Sequence, residues 1–97
     1  MSEEYVFNSQ LFMLRRESFG GLLFCKQNFS VLKLAPFAIE VLEFCREPAT
    51  EKDILNVLSK KHEVERKATF EILKTFLAKM RDERILICGD GHDGATG

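Results

Sequence analysis

The side chains of this 97-residue chain that could do chemistry are His62, the trio Asp90, His92 and Asp93, and three cysteines at positions 25, 45 and 88. His62 stands between Lys61 and Glu63 at the close of a helical pattern, the setting of a solvated helix-end residue and not of a general base. Asp90, His92 and Asp93 offer oxygen and nitrogen ligands to a divalent ion. They lie in a glycine-rich run, Gly89-Asp90-Gly91-His92-Asp93-Gly94, that fixes no coordination geometry, so no metal site is expected. Cys25 and Cys45 fall within apolar patterns, where cysteine behaves as a small hydrophobe. No Cys-x-x-Cys pair, phosphate-cradling glycine loop or nucleophile elbow occurs, and Gly20-Gly21 leads into a strand pattern instead of a helix. The expectation is a chain without catalytic residues, metal or cofactor.

Composition narrows the setting. Lysine plus arginine, 14, nearly cancels aspartate plus glutamate, 15, whereas a phosphate-binding chain carries a basic surplus. An odd, scattered cysteine set does not make a disulfide scaffold. Met1-Ser2-Glu3-Glu4 is acidic and lacks an apolar signal core, and no apolar run approaches bilayer length. A soluble cytoplasmic protein with no membrane partner is expected.

The chain is built around a hairpin pattern. Residues 21–26 and 29–34 are apolar and β-prone, and Lys26-Gln27-Asn28 joins them, with Asn28 suited to a left-handed turn position. Residues 11–17 add a third extended run, set off by Gly20-Gly21, a glycine pair that suggests a bulge or bend. Residues 1–10 are an extended lead-in that covers the sheet, or a frayed end. Pro36 then opens a first helix through Cys45, with Phe37, Val41, Phe44 and Cys45 on one stripe. Thr50 and Asp53 form a capping box for a second helix, whose Ile54, Leu55 and Leu58 face inward. A third helix spans about 65–82, and residues 84–88 make a short closing strand. Residues 89–97 have the composition of a disordered tail. The expected fold class is α+β and winged-helix-like: a three-stranded antiparallel meander, three helices and a closing strand, forming one domain over 11–88.

Two interaction readings follow from this plan. A winged helix commonly reads DNA with its third helix, and Arg66, Lys67, Lys74, Lys79 and Arg81 are the natural phosphate contacts. Glu65, Glu71, Asp82 and Glu83 are interspersed among them, however, and base-reading Asn or Gln is absent there, which describes a mixed solvated face. The other reading begins at the last meander strand, 29–34, which has no successor strand and keeps an open edge. On the third helix Phe70, Leu73, Leu77 and Met80 form the core stripe. Ile72 and Phe76, with Thr69 at the boundary, make a second apolar stripe that another part of the chain or a guest must cover. An extended peptide added along 29–34 would satisfy the edge and rest its alternate side chains on Ile72 and Phe76. The edge could also close in a homodimer, by exchange of the N-terminal strand, so monomer and homodimer both stay open.

Arg16-Glu17-Ser18-Phe19-Gly20-Gly21-Leu22-Leu23-Phe24, the hairpin, Leu32-Lys33-Leu34-Ala35-Pro36 and Ile85-Leu86-Ile87 resemble PqqD-like peptide chaperones, the stand-alone RiPP recognition elements of peptide-modification pathways. The Arg-x-Glu-x-Phe-Gly start is most similar to small chaperones of mycofactocin-type and related radical-SAM systems. The resemblance spans about 11–88. It implies that the leader of a ribosomal precursor peptide pairs with the third strand, here Phe29, Ser30, Val31, Leu32, Lys33 and Leu34. The leader would lie against the third helix at Thr69, Ile72, Phe76 and Lys79. It also implies delivery to a radical-SAM maturase, the partner that holds the iron–sulfur cluster. Ala35 departs from the pattern, since many relatives place Asn or Asp there to cap the first helix.

Overall fold

The structure, a computed structural model, describes residues 3–62 and 65–90. In chain order its elements are β1 (Glu3–Phe7), β2 (Phe12–Glu17), β3 (Gly20–Cys25), β4 (Val31–Leu34), α1 (Pro36–Phe44), β5 (Ala49–Thr50), α2 (Glu51–His62), α3 (Arg66–Asp82) and β6 (Leu86–Asp90). The fold is α+β: a three-stranded antiparallel sheet in the order β2-β3-β4, three helices and a closing strand. Among the described residues no helix is long and apolar enough to cross a membrane.

The register of the meander aligns Leu14, Leu23 and Leu32 in one row and Met13, Phe24 and Val31 in the next. Side chains alternate across a pleated strand, so these two rows point to opposite faces. Leu14, Leu23 and Leu34 turn inward and are buried. The glycine pair makes no bulge. Glu17 pairs directly with Gly20 across the tight turn at Ser18-Phe19. Both glycines are needed for close approach instead. Gly20 has φ +140°, and a Cβ there would overlap the Leu34 carbonyl oxygen. A Cβ on Gly21 would lie 2.7 Å from Ile39 Cδ1, so its absence lets α1 settle on the sheet.

The turn between β3 and β4 also differs from expectation. Phe29 takes the left-handed conformation, with φ 59°, and Asn28 does not. The Asn28 side chain is engaged elsewhere, its Oδ1 accepting the Ser30 N–H at 3.0 Å. Phe29 N–H donates to the Cys25 carbonyl at 2.8 Å, which holds the strained residue in place. A left-handed backbone costs a non-glycine residue on the order of 1 kcal/mol, and the Phe29 ring, 84% exposed, recovers little of that by packing. Phe29→Asn should therefore raise the unfolding free energy by up to about 1 kcal/mol in urea titration. A loss of stability would show that the ring supports the fold.

Residues 3–7 of the N-terminal segment neither cover the meander nor fray. They form β1, the centre of a second sheet in the order β5-β1-β6, with Tyr5 opposite Ala49 and Cys88, and Phe7 opposite Leu86. Exchange of this strand between copies would first have to break that three-stranded arrangement. β6 continues to Asp90, so Gly89 and Asp90 extend the strand into the stretch expected to be tail. His92 and Asp93, with the rest of 91–97, and Val64 lie outside the described residues.

α1 packs on the β2-β3-β4 sheet, and α2 and α3 pack on each other and on strands of the β5-β1-β6 sheet. α1 is apolar nearly all round, and Ile39, Val41, Leu42 and Cys45 are fully buried. Phe44, expected on the core stripe, is exposed, and Phe37 is only partly buried. Burial of each large aliphatic side chain stabilises by about 1.5–3 kcal/mol. Pro36 opens α1, and Ala35 supplies no side-chain cap. α2 has the reciprocal capping box: Asp53 N–H donates to Thr50 Oγ1 at 3.1 Å, and Thr50 N–H donates to Asp53 Oδ2 at 3.2 Å. α3 turns Leu73, Leu77 and Met80 to the core.

Candidate functional site

β4 is an edge strand, paired with β3 on one side only. Cys25 N–H donates to the Ser30 carbonyl at 2.9 Å, which sets the phase of the ladder. Hydrogen-bonded and non-hydrogen-bonded pairs alternate in an antiparallel sheet. Ser30, Leu32 and Leu34 therefore direct their main-chain groups to β3, while Val31 and Lys33 direct N–H and C=O to the open side. Of the six residues expected to receive a guest strand, two offer it free backbone. Phe29 lies in the turn, and Leu34 is buried in the core, so neither presents the ladder that the sequence pattern suggested. Lys33 extends its Nζ over the Phe19 ring, 4.8 Å from the centroid.

Beside this edge lies an apolar hollow of about 550 Å³, lined by Phe37, Glu71, Ile72, Thr75, Phe76 and Lys79. Ile72 is 58% exposed, and no other part of the described chain covers it. Phe76 packs edge-on against Phe37, with ring centroids 5.5 Å apart and planes at 77°. Since Pro36 and Phe37 follow β4 directly, this contact ties the end of the strand to the middle of α3. A second hollow, of about 290 Å³, runs toward the start of β4, where Ser30, Val31 and Leu32 face Glu83 and Ile85 beyond the α3 C-terminus. The smaller hollow touches the first half of β4, and the larger one lies past its end, at Phe37.

Ile72, Phe76 and Lys79 are thus brought together, and Thr69 is not with them: it is 8% exposed and turned to the core. Helical geometry gives the reason. At about 100° per residue Thr69 stands about 60° from Ile72 but about 20° from Met80 and about 40° from Leu73. Thr75 and Glu71 line the hollow in its place. Their polarity concealed them in the apolar pattern, although Thr75 lies three residues beyond Ile72 and so on the same side of the helix.

Nucleophile candidates are poorly placed for that role. Burial pushes the Cys45 thiol up to about 12. Burial, and then Cys88, push the Tyr5 phenol up to about 12. Cys88 donates to Glu3 Oε1 at 3.4 Å, and burial together with that carboxylate raises its thiol. Activated nucleophiles need shifts in the opposite direction. Among the described residues no three His, Cys, Asp or Glu side chains converge as a metal site would require. The cationic side chains of α3 are dispersed. Arg66 donates to Asn56 Oδ1 at 2.6 Å, and Lys74 lies over the Phe70 ring.

No family model matches this chain, and no curated protein or solved structure matches it. What the site can do rests on its own geometry.

Proposed function

We propose that this chain is a non-catalytic peptide chaperone that takes an extended guest as a fourth strand along β4. The observation that carries the reading is the pairing of an uncovered Ile72, in the hollow that Phe37 shares with α3, with a strand edge, β4, that has no partner on one side. A guest strand satisfies the main-chain groups of Val31 and Lys33, each such hydrogen bond contributing about 0.5–1.5 kcal/mol net. Its alternate side chains descend into the Ile72–Phe76 hollow and onto Leu32, where apolar burial adds the larger share. The resemblance to PqqD-like chaperones supports naming the guest the leader of a ribosomal precursor peptide, and the recipient a radical-SAM maturase, both in the cytoplasm. The duplex-binding alternative has less support, because carboxylates alternate with the cations along α3.

The test is a guest peptide selected from a displayed random library against the full chain, followed by amide hydrogen exchange. The amides of Val31 and Lys33 should exchange at least about tenfold more slowly with the peptide bound, as newly formed hydrogen bonds require. Those of Leu32 and Leu34, already paired with β3, should change little. Protection confined to α2 or to the β5-β1-β6 sheet would defeat the proposal.

A further inference from the structure

We propose that the outer face of the β2-β3-β4 sheet is a second docking surface, fitted to a protein partner whose apolar centre is bordered by carboxylates. An antiparallel sheet with one covered face normally turns polar side chains outward on the other. β3 does not: Leu22 and Phe24 point outward while Leu23 points inward, the pattern of a strand expected to be covered on both sides. Phe24 lies in a cross-strand row with Met13 and Val31, which are 52% and 55% exposed. α1 covers the inner face of this sheet, where Ile39 meets Gly21, while Met13 and Val31 on the outer row stay exposed.

Charge identifies the occupant. The adjacent row reads Arg15, Leu22, Lys33, which places one cation on each side of a central leucine, about 10 Å apart by strand spacing. Arg15 is half-committed to Glu17 at 2.7 Å, and Lys33 meets a ring but no carboxylate among the described residues. A carboxylate laid over Leu22 would be reached by both cations. A second copy of this face would set like charges against each other, which disfavours self-association. Phe24 is a single, partly buried ring between aliphatic Met13 and Val31, with only two cations beside it, so a single-stranded nucleic acid, which needs successive stacking rings along a basic track, fits less well than a protein. The face is perpendicular to the β4 edge, and both can be occupied at once.

The experiment is an amide-shift titration of the full chain with a random glutamate–tyrosine copolymer, with polyglutamate and oligo-deoxythymidine as the comparison probes. The copolymer should shift Leu22, Phe24 and Val31 and bind more tightly than polyglutamate. Arg15→Glu and Met13→Asp, both at exposed positions, should each weaken it about tenfold, and Arg15→Lys should bind as the parent does. The proposal is overturned if the copolymer shifts no amide of this face, or if Met13→Asp binds as tightly as the parent. It is equally overturned if oligo-deoxythymidine binds as well as the copolymer. Concentration-dependent shifts of these amides without any probe would assign the face to a second copy and overturn it too.

Discussion

Ile72→Asp should weaken binding of a library-selected guest peptide about a hundredfold while the chain melts at the temperature of the parent. A hundredfold is about 2.7 kcal/mol, the scale expected when a carboxylate replaces an aliphatic side chain and must shed water against an apolar guest. The melting temperature should hold because Ile72 is largely exposed in the free protein and contributes little to the core. Titration calorimetry and thermal unfolding on the same samples decide it. Unchanged affinity in a folded variant would remove the groove from consideration. Phe76→Asp is the poorer probe. Phe76 already packs on Phe37, so its loss disturbs the junction between β4, α1 and α3 as well as the guest surface.

Gly20→Ala should lower the unfolding free energy by about 3 kcal/mol or more. Two effects add at this position. The backbone at φ +140° is one that an L side chain rarely adopts, and the new methyl would displace the Leu34 carbonyl and the Ala35-Pro36 link. A domain of this size has roughly 5–15 kcal/mol in total, so the loss should be plain in urea unfolding. Moving that link also shifts β4 and Phe37, so peptide binding should fall with stability. Gly21→Ala should cost less, because its obstacle is the Ile39 side chain, which has some freedom to rotate. A Gly20→Ala variant as stable as the parent would mean that β4 and α1 do not join so close to the first hairpin.

Much of the site is legible in the sequence. The alternation in 11–17 and 21–34 marks the meander, and the proline and the Thr50–Asp53 pair mark the starts of α1 and α2. The second apolar stripe of α3 marks Ile72 and Phe76 as residues that another part of the chain or a guest must cover. Thr69 falls on the wrong side because a stripe boundary is a matter of about 20–40° of rotation, and only packing beside Leu73 and Met80 resolves it. Leu34 reads as guest surface because it continues an open strand, yet its alternation places it in the core.

The β5-β1-β6 sheet is the largest feature that the sequence pattern omits. Ala49-Thr50 is too short to carry a strand pattern, and β6 pairs with residues from the opposite end of the chain. Local pattern determined what depends on near neighbours: which runs extend, which coil, where caps fall and which helix faces are apolar. Tertiary structure alone decided which residues of the open edge keep free backbone, which glycine needed to lack a Cβ and which apolar residues found no cover. Those outcomes depend on groups far apart in sequence, and periodicity along one element carries no record of what packs against it.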